Sequence, residues 1–264
     1  IVINKTLILI GLPGSAPIFS GGGSGIAFTL QSGASGSIIA GVVITRWDQG
    51  ILIVNSAECK IYGNVMSLIN YNAITLEGGG AANNLIYSNI FQGNTIAIDL
   101  IASSTSNTIY KNIISSGNIG LNLETSGNII YANTIAENQV GINMANSNNN
   151  IIYHNNFINN NENIQTEGLS NTWDNGYPSG GNYWSAHTSP DQYSGPYQNE
   201  SGSDGIVDTN YTIATNNVDR YPLVQPFSLH DIGITNVITF KTIIGQGYKL
   251  RLELSILNYG VFDE

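Results

Sequence analysis

The chain has 264 residues, 8 of them basic and 18 acidic, for a net charge of −10, and only 10% of its residues are charged. Binding to nucleic-acid phosphates needs clustered Lys and Arg, and no such cluster exists, so nucleic-acid partners are excluded. No membrane-spanning apolar run and no secretory leader is visible, and the length suits one large domain plus a small one.

The opening already reads as strand, with Ile1-Val2-Ile3 and Leu7-Ile8-Leu9-Ile10. A pattern that starts in mid-stride implies that a signal and a cap precede residue 1 in the precursor. The dominant feature follows. Ile-Tyr-x-Asn recurs at Ile61–Asn64, Ile86–Asn89, Ile109–Asn112, Ile130–Asn133 and Ile152–Asn155, with the tyrosines 25, 23, 21 and 22 residues apart. Self-similarity at this period is the signature of a solenoid. Two residues after each Asn comes an apolar residue (Met66, Phe91, Ile114, Ile135, Phe157). Further on, an apolar pair flanks one outward residue, as in Ile74-Thr75-Leu76 and Ile98-Asp99-Leu100. Period-2 alternation of this kind predicts short strands with one buried face. Gly78-Gly79-Gly80, Asn83-Asn84, Ser126-Gly127-Asn128 and the Asn-rich run from 146 to 150 supply the turns between them. No apolar period of 3.6 persists over a helical length. The predicted fold is therefore all-β: a right-handed parallel β-helix with about 22 residues per coil. Residues 1–170 supply six or seven coils, a rod of roughly 30 Å at the sheet spacing.

Three rows of side chains follow from the repeat. Asn64, Asn89, Asn112, Asn133 and Asn155 are expected to occupy left-handed bends and to bond amide to amide, as a structural ladder. If each Ile points inward, Tyr62, Tyr87, Tyr110, Tyr131 and Tyr153 point outward. They then form a stack with two readings: packing among themselves, or a contact face for sugars or a neighbouring subunit. Beside them the outward stripe Thr75, Asp99, Asn122, Asn143 and Gln165 is assigned to the same contact face. Cys59 shares the inward parity of Ile61 and reads as a small core residue; a lone cysteine forms no intrachain disulfide.

The repeat fades near Gly168. Residues 171–228, with Trp173, Trp184 and Tyr177-Pro178-Ser179-Gly180-Gly181-Asn182-Tyr183-Trp184, are read as a cap that covers the open sheet edge by aromatic packing. Within it, Glu200, Asp204 and Asp208 surround a turn glycine. They fit an oxygen-ligand loop for structural Ca²⁺ or a turn whose Asp caps local amides; no other cofactor is called for. Asn4, Asn199 and Asn210 head glycosylation sequons. Residues 229–264 alternate again and look like the first strands of a β-sandwich. That sandwich is either cut short or completed by strand addition on another molecule.

The coils, the opening Val2-Ile3-Asn4-Lys5-Thr6-Leu7 and the run Asn171-Thr172-Trp173-Asp174-Asn175-Gly176 resemble the NosD-like β-helix repeat family of archaeal and bacterial envelope proteins. So do Gly181-Asn182-Tyr183-Trp184-Ser185, Gly202 to Thr209 and Asp219-Arg220-Tyr221-Pro222-Leu223. His230-Asp231-Ile232-Gly233-Ile234 to Asn258-Tyr259-Gly260 is similar to the start of a CARDB-type, immunoglobulin-like adhesion module. The resemblance implies an extracellular or cell-surface location and a fold more than an activity. The family's founding members are linked to copper maturation. Copper sites use His, Met and Cys, yet His154, His187, His230, Met66, Met144 and Cys59 do not fall at ligand spacing. Glycoside hydrolysis usually needs two flanking carboxylates, and the stripe offers one, Asp99. The sequence thus supports a non-catalytic structural or adhesive protein that associates with itself or other surface proteins, capable of forming a sheath or filament. The alternatives are a carbohydrate-binding module and a β-helix enzyme acting on polysaccharide.

Overall fold

The computed structural model describes residues 1–12, 14–167, 170–228, 232–239 and 252–258. They fall into two compact units, Ile1–Phe227 and Ser228–Glu264. The first unit is a parallel β-solenoid. Each coil contributes three strands, as in Leu85–Tyr87, Ile90–Gln92 and Ile96–Ile101. Successive coils pair in parallel to build three sheets of eight, seven and eight strands. There are about eight turns of roughly 23 residues, more than the six or seven expected. The first two turns lack the Ile-Tyr-x-Asn motif, since Ile10 and Ala40 stand where later coils carry tyrosine, in register with Tyr62. The one helical element among the described residues is the three-residue 3-10 turn Ser32–Ala34, and no helix there is long and apolar enough to cross a membrane.

The core consists of inward columns, one residue per coil. Ile61, Ile86, Ile109, Ile130 and Ile152 are all fully buried, as are Met66, Phe91, Ile135 and Phe157. Cys59 sits among them, and burial pushes its thiol pKa up. A single coil has no second layer to bury these side chains, so each coil depends on its neighbours.

The bends depart from the sequence reading in one respect. The left-handed residue is not the asparagine but the one before it: Gly63, Ser88, Lys111, Ala132 and His154 have φ of 62°, 54°, 59°, 56° and 56°. One left-handed residue breaks strand alternation. Asparagine, which alternation alone would turn outward, therefore points into the rod, where all five are essentially fully buried. There it serves the backbone. Asn89 Oδ1 accepts the Asn64 main-chain N–H and Nδ2–H, each at 3.0 Å, while Asn89 Nδ2 donates to the Ile61 carbonyl at 2.8 Å. The same contacts repeat at Asn112, Asn133 and Asn155. At a bend the strand hydrogen bonds lapse, and buried amides must find another partner.

The other two bends use the same device. Asn84, Asn107, Asn128, Asn150 and Asn171 form a second ladder. Asn94, Asn138 and Asn160 form a third, in which Gly117 replaces one rung and gives its N–H to Asn138 Oδ1.

Beyond residue 170 the chain terminates these ladders. Tyr183–Trp184 adds a last strand beside Asn156–Ile158. Trp184 stacks on Phe157 at 4.4 Å, and Tyr211 stacks on Trp184 at 4.2 Å. Asn182 extends the first ladder by one rung. A hairpin of Tyr211–Ala214 and Asn217–Asp219 then closes two ladders at once. Asn217 Oδ1 accepts from Asn171 N and from the Trp173 indole. Asp219 Oδ2 accepts from Asn182 N at 2.7 Å and the Trp184 indole at 2.9 Å, and its Oδ1 accepts from Tyr221 N. Burial outweighs those hydrogen bonds and pushes the Asp219 carboxyl up to about 7. Outside it, Arg220 grips Asp174 through Nε at 2.9 Å and Nη2 at 2.6 Å.

In the second unit, Ile232–Thr239 and Leu252–Asn258 pair antiparallel. His230, Asp231, Lys249 to Arg251, Tyr259 and Gly260, which carried part of the immunoglobulin-like resemblance, lie outside the described residues.

Replacing Asn112 by Ala strands the Asn89 amide and the Ile86 carbonyl in the interior. At about 1–3 kcal/mol per unmet buried group, the urea midpoint should fall by the equivalent of roughly 2–6 kcal/mol; an unchanged midpoint would show the ladder to be dispensable. Asp219 gives a pH signature. Its folded pKa of about 7 exceeds the ordinary aspartate value of 3.8, so the folded state holds the proton more tightly than the unfolded one. Its contribution is complete below about pH 4 and is lost as pH rises through 7, on the order of 4 kcal/mol in all. The melting temperature of Asp219→Asn, compared with wild type between pH 4 and 8, should lack that decline.

Candidate functional site: a stacked tyrosine face

Tyr62, Tyr87, Tyr110, Tyr131 and Tyr153 are direct register partners across the seven-stranded sheet. Each is the last residue of a three-residue strand whose central Ile is buried, and this forces the ring outward. Ring centroids are 4.8, 4.9, 5.1 and 5.4 Å apart, with planes within 12° of parallel. The spacing follows from the sheet: strands ~4.8 Å apart place identical side chains in face contact. The rings are half-buried. Burial raises the pKa of Tyr87, Tyr110, Tyr131 and Tyr153, and for the first three the neighbouring phenols add to the shift. Lys111 stands 5.6 Å from the centre of the Tyr110 ring.

The two ends of the stack differ. Tyr153 meets the edge of His154, which itself stacks on Phe227 at 4.1 Å. Beyond Tyr62 the row continues with Ala40, and a hollow of about 590 Å³ opens beside it, lined by Ile10, Leu12, Tyr62 and the glycines 11, 41 and 63.

The polar stripe is not part of this face. Thr75, Asp99, Asn122, Asn143 and Gln165 lie in the sheet of long strands, a different side of the rod. Nor is the stripe uniformly open. Thr75, Asp99 and Asn122 are buried, Asn143 is half-buried and Gln165 is exposed. The amides bond along the stripe: Asp99 Oδ1 accepts from Asn122 and Oδ2 from Asn72, while Asn143 donates to Asn122. Burial raises the Asp99 pKa; Asn122 opposes the shift, and the nearby Glu124 and Glu77 add to it. Alternation predicts which way a side chain points, not whether its neighbours close over it.

The suggested calcium loop is occupied from within. Asp204 accepts from Gly195 N, Gln198 Nε2 and Ile206 N, and Asp208 accepts from Gln192 N and Tyr193 N. Asp191, which the sequence reading passed over, accepts from Asp204 N and Gly205 N. These acids organise turns, and Glu200 lies in a short strand. Among the described residues no group of three or more His, Cys, Asp or Glu is gathered as a metal site requires. The copper-type side chains do not converge either. Met66, Met144 and Cys59 are in the core, and His154 and His187 engage the carbonyls of Ser179 and Thr209; His230 lies outside the described residues. The sequon residues Asn4, Asn199 and Asn210 are exposed.

Residues 18–189 match the profile of a family described as periplasmic copper-binding protein (NosD). No curated protein matches. Among solved structures, two forms of the catalytic domain of a GH87 alpha-1,3-glucanase in complex with nigerose align at 13% identity and a TM-score of 0.26. Each alignment spans 77% of this chain and 56% of that one, a likeness too low to carry over any chemistry.

Replacing the central rung tests what the stack contributes. Tyr110→Ala removes two stacked contacts worth about 0.5–1.5 kcal/mol each beyond area burial and should lower stability by at least 1–3 kcal/mol, whereas Tyr110→Phe should stay within about 0.5 kcal/mol of wild type. In an alkaline absorbance titration the raised phenols should ionise above pH 10. Because the folded state holds those protons more tightly, their contribution is present below pH 10 and fades as pH rises past it.

Proposed function

This chain belongs to the NosD family, and on that premise we propose that it is a non-catalytic structural or adhesive β-helix protein of the periplasm or cell surface. The observation that carries this reading is the tyrosine stack: five parallel rings, held in place by a hydrogen-bonded rod, form a long amphipathic strip. A strip of that kind suits contact with a second extended surface, a neighbouring copy or an envelope polymer, better than capture of a small molecule. The exported location rests on the family description, with the exposed sequons in agreement. Self-assembly is part of the proposal. The stacked rings along one side of the rod are the surface on which a second copy would dock.

A second reading, an enzyme acting on polysaccharide, has one observation in its favour: Asp99, with its raised pKa, beside Glu77 and Glu124. If this reading held, Asp99→Asn would abolish release of sugar from a polysaccharide panel.

Light scattering and electron microscopy of the whole chain, with and without Ca²⁺, test the first reading. Assembly that grows with concentration and is reduced at least tenfold by the Tyr87→Ser, Tyr131→Ser double variant is the expected result. A chain that stays monomeric and does not bind envelope preparations would sink the proposal.

A further inference from the structure

The terminating segment holds a feature that the tyrosine face does not use. A cavity of about 320 Å³ is walled by Tyr197, Gln198, Asp208, Asn210, Arg220 and Tyr221. That volume is at the lower end for small-ligand sites, about 300–1,000 Å³. Part of its wall is held in place by hydrogen bonds. Tyr221 is held through its hydroxyl on the Pro196 carbonyl and its N–H on Asp219. Arg220 lies 5.4 Å from the centre of the Tyr221 ring, and its double contact with Asp174 uses Nε and Nη2. Nη1 remains available on a side chain that is 58% exposed. Asp208 is aimed by the amides of Gln192 and Tyr193, and a carboxylate has lone pairs beyond those two donors.

Two residues here are poorly explained by folding alone. Tyr197 is 85% exposed at the tip of a turn. Gln198 adopts φ +47°, a conformation that glycine takes at lower cost. Its Nε2 bridges the Gly195 carbonyl and Asp204, which leaves Oε1 buried without a hydrogen-bond partner. An unmet buried acceptor is costly, and this one is closed off from solvent.

The chemistry of the walls selects the ligand. Two phenol rings offer apolar faces. Arg220 Nη1 and the Asn210 amide donate, while Asp208 and the Asn210 carbonyl accept. A purely apolar ligand would bury these polar groups without partners. The one carboxylate in the wall, Asp208, is matched by one guanidinium, Arg220, so the walls favour neither an anion nor a cation. A molecule with a C–H face, hydroxyls at its rim and no charge fits all three constraints. We propose that this cavity binds a neutral pyranose unit of a glycan, laid against Tyr197 and Tyr221 and held at its hydroxyls by Arg220, Asn210 and Asp208. The site is separate from the tyrosine stack and does not depend on the function proposed for it.

Saturation-transfer NMR on the whole chain, produced without glycosylation because Asn210 heads a sequon, tests the proposal. The probes are the methyl glycosides of glucose, galactose, mannose and N-acetylglucosamine, with galacturonate as the charged comparator. Transfer to at least one neutral glycoside is expected. It should weaken at least tenfold in Tyr197→Ala and in Asn210→Ala, with melting temperatures unchanged, and persist in Tyr110→Ala. Transfer to none of the four, transfer to galacturonate alone, or full binding by the Tyr197→Ala protein would each overturn the assignment. Loss in Tyr110→Ala with retention in Tyr197→Ala would move the sugar to the stacked face and equally end it.

Discussion

The constraint on which the rest of this molecule depends is the unpaired backbone at each corner of a coil. A strand satisfies its amides through its neighbours in the sheet; a corner does not, and in a rod of this thickness the corner is buried. The asparagine side chain solves this as a surrogate peptide, with one carbonyl and one N–H₂ in a plane. Each rung receives from the coil before it and returns a donor to that coil's carbonyl. Because the same exchange repeats at three corners, coil spacing and register are fixed together, and a slip would break three ladders at once. Every outward row, tyrosines included, takes its alignment from that inner scaffold.

A ladder that passes donors and acceptors along must also end, and the terminating hairpin shows how. At the last position of the first ladder stands Asp219, fully buried, where three donors converge: Asn182 N, the Trp184 indole and Tyr221 N. The carboxyl offers both oxygens to donors at a rung with no further coil to donate to, whereas an amide there would aim its N–H₂ at another donor. The second ladder ends on Asn217, whose Nδ2 finds the Thr215 carbonyl. The chemistry of each last rung thus follows from what lies beyond it, and the buried acid makes the closing hairpin sensitive to pH near neutrality.

Much of the architecture was legible because folding and repetition reinforce one another: Ile-Tyr-x-Asn reports an inward residue, an outward residue and a corner in four letters. The rest was hidden for identifiable reasons. The second ladder repeats as regularly as the first, at 84, 107, 128, 150 and 171, but it is embedded among other asparagines, such as Asn83 and the 146–149 run, that only make turns. The third is interrupted by Gly117. The left-handed positions hold Gly, Ser, Lys, Ala and His in the five tyrosine coils, so no residue type announces them. Asparagine was credited with the strained conformation on its reputation, when the tertiary need was for its side chain. The stripe around Asp99 was read as open because alternation gives direction without giving cover. The termination at Asn217 and Asp219 depends on contacts across more than 35 residues and left no local signal.

Family membership accounts for the rod but not for what the rod does. Among the described residues the side chains that would suit copper are used in the core or on backbone carbonyls, while hydrogen bonds and apolar columns hold the coils together. Those columns vary freely within their apolar character, as Met66, Phe91, Ile114, Ile135 and Phe157 show in one row. The adjoining outward row Lys60, Leu85, Thr108, Ile129 and Ile151 varies without restraint. Against that background five consecutive tyrosines are unusual. Ring stacking rewards a run of aromatic residues, but phenylalanine stacks as well as tyrosine. Stacking therefore explains the rings and leaves the hydroxyls over: a line of phenolic oxygens repeating at the coil spacing along one side of the rod. It is this regular row of polar tips on an apolar base, not any single residue, that the folding of the coils does not require.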